Sequence, residues 1–234
     1  MTGERRVTAG LALLFGLILA TAPARGAALA LVLAVDVSAS ITADAYVLQR
    51  DGIARAFAGR RLVEAVSTLP GGVDLLVLEW SDPGRIAVTV DWTRVGDATS
   101  AEKFAKAVRE TRRSSNGLTA IGSALLAAAA AFERLPEPAG RRVIDLSGDG
   151  MANIGPPPAA ARDRIAAAGI TINGLAILTE EPWLADYYRR NVIGGPTAFV
   201  VVVRTFGDFA NAIERKLNNE VAGLQQRWHA AHMQ

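Results

Sequence analysis

Asp36, Ser38 and Ser40 stand at alternating positions in the stretch Val35-Asp-Val-Ser-Ala-Ser40. Just ahead of them, Ala28 to Val35 is apolar without a break. So short a run, rich in Val and Leu and closed by a polar turn, predicts a buried parallel strand. In an open α/β sheet, ligands bind beyond the carboxyl ends of such strands. Three oxygens leaving one strand end at i, i+2 and i+4 suit a hard cation such as Mg²⁺, which takes oxygen ligands and keeps several waters. The same residues would also make a polar strand-to-helix turn, with Asp or Ser capping the next helix. Taken alone, the stretch does not separate the two readings.

Two further oxygen-bearing positions fall at comparable places. Thr119 opens a helix after the polar loop Arg112 to Gly117, and Asp149 lies in Ser147-Gly-Asp-Gly150, directly after a short strand. Asp145 competes with Asp149, but it sits inside Val143 to Leu146, before the strand end. A carboxylate buried there is expected to satisfy a backbone or Arg partner instead. Glu79, Trp80 and Asp82 at a hairpin tip, Asn153 after Asp149, and Glu180, Glu181 and Trp183 after the fifth strand are candidates for a rim around the site. Their plainer reading is solvated turns with a packing Trp.

The elements that must position these residues follow from periodicity. Thr42 to Phe57 carries Ala45, Leu48, Ile53 and Phe57 at helical spacing behind a Thr N-cap, and Arg60 to Ser67 continues it. Val73 to Trp80 and Arg85 to Trp92 are strand-like, and only Ser81 to Gly84 separates them, which demands an antiparallel hairpin. Helices are expected over Ser100 to Thr111, Ala120 to Arg134, Ala159 to Ala168, Trp183 to Asn191 and Phe206 to about Gln226. Strands are expected over Arg142 to Leu146, Thr171 to Leu178 and Ala198 to Val203. Strands alternating with helices predict a doubly wound, mostly parallel six-stranded sheet with one antiparallel edge strand and helices on both faces.

The chain has 234 residues, half of them hydrophobic and 6% aromatic, enough for one domain with an aliphatic core. It has no cysteine, so disulfides, thiolate metal sites and a cysteine nucleophile are excluded. Arg5 and Arg6, the apolar run Ala9 to Ala22 and the small residues around Ala24 and Gly26 form a signal-peptide pattern, which predicts a leader over 1–26 and a periplasmic or secreted protein. A membrane contact is expected only if that segment stays as an uncleaved anchor. Cleavage after Gly26 leaves 22 basic and 22 acidic residues from the original 25 and 23, so no charge excess argues for nucleic acid. Nucleotide loops of the Gly-x-Gly-x-x-Gly or Gly-x-x-x-x-Gly-Lys type do not occur. Ser38 or Ser40 as a hydrolase nucleophile would need a base, and the only histidines, His229 and His232, lie at the far C-terminus.

Asp36-x-Ser38-x-Ser40, a distant Thr119 and a later Asp149 before Gly150 together resemble the von Willebrand factor A-type domain and its metal-ion-dependent adhesion site. The resemblance spans about Ala28 to Leu224. Glu79-Trp80-Ser81 and Ser147-Gly-Asp-Gly150 with Gly155-Pro-Pro are similar to a bacterial subgroup whose function is not established. The family fold agrees with the six-stranded sheet read above. Carried over by position, the resemblance implies that Ser38, Ser40 and Thr119 touch the metal directly, while Asp36 and Asp149 hold it mainly through water. Mg²⁺ is the implied ion, with Mn²⁺ or Ca²⁺ as alternatives. A domain over 27–226, a tail over 227–234 and, with no base in reach of the serines, no enzyme activity are expected. The implied function is capture of an acidic group on a protein or peptide, without nucleic acid or nucleotide. An assembly scaffold with a structural metal is the alternative, and a metal-dependent hydrolase the remotest. Some family members also slide the final helix when ligand binds; its inward face here would carry Phe209, Ile213 and Leu217.

Overall fold

The computed structural model describes residues 26–179 and 181–232, with side chains described as far as Leu224. The expected leader, Glu180 and the last two residues lie outside the described residues, as do the side chains of His229 and His232. Six strands, β1 (Leu29–Asp36), β2 (Val73–Trp80), β3 (Ile86–Val95), β4 (Arg142–Gly148), β5 (Thr171–Ile177) and β6 (Val200–Val203), form one sheet in the order β3-β2-β1-β4-β5-β6. Every neighbouring pair is parallel except β2 with β3. The doubly wound, mostly parallel sheet with an antiparallel edge strand is therefore as the sequence predicts. The tight Ser81 to Gly84 link is the reason: Arg85 N donates to the Asp82 carbonyl at 2.9 Å and closes the turn.

Among the described residues seven α-helices cover the two faces: α1 (Ala43–Ala58), α2 (Arg60–Ser67), α3 (Ala98–Arg109), α4 (Ile121–Ala131), α5 (Pro158–Ala167), α6 (Leu184–Asn191) and α7 (Phe209–His232). Strand alternation divides β1 between two cores. Leu29, Leu31, Leu33 and Val35 meet α1, α2, α3 and α7, whereas Ala30, Val32 and Ala34 meet the helices of the other face. Small residues on that second side match the Ala-rich α4, which lets strand and helix approach closely. On the first side, Gly52 allows α1 to lie on α7. A Cβ there would stand 2.9 Å from a ring atom of Phe209 and 3.0 Å from the Cα of Ala210.

Local boundaries differ from expectation for identifiable reasons. Gly59 separates α1 from α2 instead of carrying one helix through. Helix α3 starts earlier than Ser100 because Asp97 is its cap: Ser100 N donates to the Asp97 carboxylate at 2.7 Å, and the Ser100 hydroxyl returns a bond to the Asp97 backbone. Thr42 caps α1 as expected, accepting from Ala45 N at 3.1 Å. Leu48, expected on the inward face of α1, is 43% exposed. Among the described residues no helix is long and apolar enough to cross a membrane.

Candidate functional site

Strand β1 lies between β2 and β4, so Asp36 emerges at the middle of the carboxyl edge, in register with Trp80 of β2, while Val35 pairs with Ser147 of β4. The loop after β1 carries Ser38 and Ser40, and the turn after β4 carries Asp149. The two loops meet: Ser40 Oγ donates to Asp149 Oδ1 at 2.6 Å, and the Ser38 and Ser40 hydroxyls are 3.3 Å apart. Ser38 N donates to Asp36 Oδ1 at 2.8 Å, which curls the loop over the carboxylate. Thr119, 7% exposed, sits at the mouth of α4. Its N–H donates to Asn153 Oδ1 at 2.8 Å, and Asn153 N donates back to its carbonyl at 3.1 Å.

Residues behind the loops hold this arrangement. Arg113 donates to the carbonyls of Val37 and Ser38 at 2.9 and 2.7 Å. Gln49 of α1 donates to the Asp36 carbonyl at 3.2 Å. Ala39 N reaches the Gly117 carbonyl at 2.7 Å, so the 112–118 loop and the loop after β1 are stitched together. Asp82 accepts from Leu118 N at 2.9 Å, and the Ser81 and Ser115 hydroxyls meet at 2.8 Å.

The electrostatics are set by burial. Asp36 is wholly buried, and among the described residues its Oδ2 has no hydrogen-bond partner. Desolvation pushes its carboxyl up to about 7, aided by the negative Asp149 and opposed by the hydrogen bonds from Ser38. The Tyr188 hydroxyl is also buried, again without a hydrogen-bond partner among the described residues. Burial, with the negative charge of Asp36 and Asp149, holds it well above the usual phenol range. Gly148 makes room for both groups, since a Cβ there would lie 2.7 Å from the Tyr188 hydroxyl and 2.8 Å from Asp36 Oδ2. Two carboxylates, of which Asp36 keeps one buried oxygen unpartnered among the described residues, and the Ser38 and Ser40 hydroxyls, with Thr119 on the adjoining loop, fit a hard divalent cation. Among the described residues no three His, Cys, Asp or Glu side chains cluster, so such a site would depend on the hydroxyls.

The expected rim is placed less uniformly. Trp80 is wholly buried against α4 with Leu76 and Leu78, so it belongs to the core and not to a rim. Glu79 is buried too: it accepts from the Tyr46 hydroxyl at 2.8 Å and from Ser114 N at 2.7 Å, and so anchors the 112–118 loop from below. Both corrections have one cause. Strand β2 runs through Trp80 and is covered on both faces, so the hairpin tip starts only at Ser81. Asp82 and Glu181 are half-buried, and Asn153 is exposed beside Thr119. Asp145 is buried as expected, but its partners are Lys216 and Asn173, not Arg or backbone. Arg113, Gln49 and Tyr188 were not singled out by sequence. For Tyr188 a signal exists: at i+4 from Leu184 it faces inward, where a phenol needs a polar partner.

A family model described as "Protein of unknown function (DUF1194)" matches residues 26–225. The chain belongs to that family. A search of curated proteins finds no match. Among solved structures, the von Willebrand factor domain of the type V pili tip protein Mfa5 from Porphyromonas gingivalis is 11% identical, covers 86% of this chain and 97% of its own, and superposes with a TM-score of 0.60. Proximal thread matrix protein 1 from the mussel byssus, solved with a zinc-occupied MIDAS motif, is 17% identical over 84% of this chain and 48% of its own, with a TM-score of 0.59. The pilus adhesin SpaC from Lactobacillus rhamnosus GG is 14% identical over 84% and 30%, also at 0.59. The chain thus spans about half or less of the length of the matrix protein and the adhesin. These likenesses establish the fold, which is that of the von Willebrand factor A-type domain.

Proposed function

We propose that this member of the DUF1194 family, with its von Willebrand factor A-type fold, is an exported binding module that uses a divalent cation to capture a carboxylate on a protein or peptide. Asp36, Ser38, Ser40, Thr119 and Asp149 would hold the ion, Mg²⁺ in the first instance and Mn²⁺ or Ca²⁺ in its place. The observation that carries the reading is the buried Asp36 Oδ2, which lacks a partner among the described residues in a loop whose neighbouring groups are hydroxyls and a second carboxylate. The ion would supply positive charge there and an open position for an acidic ligand. Names among the structural neighbours, a pilus adhesin and a pilus tip protein, support binding rather than turnover. Ser40 donates a hydrogen bond to Asp149, which leaves the lone pairs of its hydroxyl oxygen free for a cation.

Asp36→Ala and Asp149→Ala are expected to abolish Mg²⁺ binding while the protein still folds in chelator, because the two apolar cores do not involve the ion. Binding to the folded state alone contributes about 2.7 kcal/mol at a hundredfold excess over Kd. Melting curves in Mg²⁺ and in chelator should therefore separate for the native chain and coincide for both variants. Equal separation in all three would discard the site. Export makes a second expectation: protein recovered from periplasm or medium should begin between Arg25 and Ala28, as read by intact mass. A product retaining Met1 would mean an anchor instead.

A further inference from the structure

We propose that Tyr188 determines which cation this site prefers: through one bridging water its hydroxyl holds Asp36 Oδ2, fixes the rotation of that carboxylate, and so favours Mg²⁺ over Ca²⁺. The inference rests on the function proposed above and adds a residue outside the five ligand positions.

Tyr188 of α6 is wholly buried, in the core on the α4 side of the sheet. Two strand glycines make the space it fills. A Cβ on Gly174 of β5 would stand 2.8 Å from a ring carbon of Tyr188, and a Cβ on Gly148 of β4 would stand 2.7 Å from its hydroxyl. Glycine weakens a strand, and inside one it marks the close approach of another group. Here a single side chain accounts for both positions. The ring crosses from β5 to β4 and carries its hydroxyl toward Asp36. A Phe ring would fill the same trough without burying a hydroxyl, and a buried hydroxyl costs free energy unless it is paired.

The group it meets is the Asp36 carboxylate. The point that lies 2.7 Å from the Tyr188 hydroxyl lies 2.8 Å from Asp36 Oδ2. Neither atom has a hydrogen-bond partner among the described residues, so they do not bond each other. Two polar atoms too far apart for a direct bond, yet bordering one point, are at the separation that a single water spans. The phenol donates to that water, and the water donates to the carboxylate oxygen, which can only accept. Internal waters commonly satisfy buried polar groups in this way.

Asp36 Oδ1 already accepts from Ser38 N at 2.8 Å, so the water ties the second oxygen as well. A carboxylate has about four lone-pair sites, and one bond to each oxygen leaves others for a cation. What it loses is the freedom to turn and offer both oxygens to one ion. Ca²⁺ takes more ligands than Mg²⁺, accepts bidentate carboxylates and tolerates flexible geometry, whereas Mg²⁺ keeps waters and demands near-octahedral order. A fixed carboxylate therefore suits Mg²⁺. Tyr188 acts through Asp36 and is a positioning residue, of the kind whose loss typically costs ten- to a hundredfold in metal affinity.

Calorimetric titration of the native chain and of Tyr188→Phe, with Mg²⁺ and with Ca²⁺ separately, tests this. The native chain should prefer Mg²⁺. In the variant Mg²⁺ binding should weaken about tenfold and Ca²⁺ binding much less, so that the preference falls. A merely structural role would weaken both ions together. Equal losses for the two ions, unchanged affinities, or a native chain that prefers Ca²⁺ would overturn the role of Tyr188 and leave the cation-binding function standing. A native chain that binds neither ion would overturn both. A second readout needs no variant: with isotope-labelled tyrosine, the ring resonance of Tyr188 should shift when Mg²⁺ is added, and a resonance indifferent to Mg²⁺ would overturn the inference.

Discussion

Lys216→Met is expected to destabilise the fold by roughly 3–5 kcal/mol, the usual cost of removing one partner of a buried ion pair. Lys216 of α7 is wholly buried and its ammonium pairs with Asp145 of β4, itself buried at 4% exposure. Asn173 of β5 extends the cluster: its side-chain amide contacts Asp145 and the Glu220 carboxylate, and its oxygen accepts from Phe199 N at 3.0 Å. The Phe199 ring centroid lies 5.4 Å from the Lys216 ammonium. Removing the cation leaves a carboxylate in an apolar interior, which water cannot reach to compensate. Replacing both partners, as Lys216→Met with Asp145→Leu, removes the stranded charge and should recover most of the loss. Urea unfolding midpoints at unchanged m-value measure both. A single-variant cost below about 1 kcal/mol, in the range of exposed ion pairs, would show that the pair is not holding α7. The same pair bears on the sliding of the last helix that the family resemblance implies. A one-turn shift would carry Lys216 about 5.4 Å along the axis and away from Asp145. Hydrogen exchange over 206–226 is therefore expected to be the same with and without Mg²⁺.

The contrast between Asp36 and Lys216 shows what a sequence displays and what it hides. Asp36 was legible because a parallel strand buried on both faces must be apolar throughout, so the first carboxylate after Ala28 to Val35 marks the strand end. The sheet order followed from the same logic, together with a hairpin too short to cross over. The inward face of α7 was equally legible from Phe209, Ile213 and Leu217, all buried. Lys216 sits beside Leu217 on that helix, yet a lysine there ordinarily reaches out to water along its own stem. Only the tertiary placement of Asp145, in register with Leu33 and Asn173 on the α7 side of the sheet, turns it inward. Arg113 was hidden for a related reason. A loop arginine has no period, and its two carbonyl acceptors belong to a loop distant in sequence. Trp80 misled because a residue next to a hairpin looks exposed, whereas the last residue of a doubly covered strand is core.

Asp36→Asn is expected to stabilise the protein in chelator at pH 8 while ending its response to Mg²⁺. The sign follows from the folded-state carboxyl, raised from 3.8 to about 7 by burial first and by Asp149 further. A carboxyl raised on folding contributes stability that is fully present below its unfolded value and is lost as pH rises through the folded value. The metal-free native chain should therefore lose stability relative to the variant between about pH 4 and pH 7. The full difference is roughly 4 kcal/mol for a shift of this size. The variant is neutral throughout, and its amide oxygen can still accept from Ser38 N, so its geometry is preserved. At pH 4 the two chains should unfold at the same urea concentration; at pH 8 in chelator the native chain should unfold first. Saturating Mg²⁺ at pH 8 should then close the gap, because a cation beside Asp36 stabilises the charged form that burial penalises, whereas the variant has no charge to offer it. Native and variant curves that stay parallel from pH 4 to pH 8 would mean that Asp36 ionises without cost, and that no cation is needed to keep it charged.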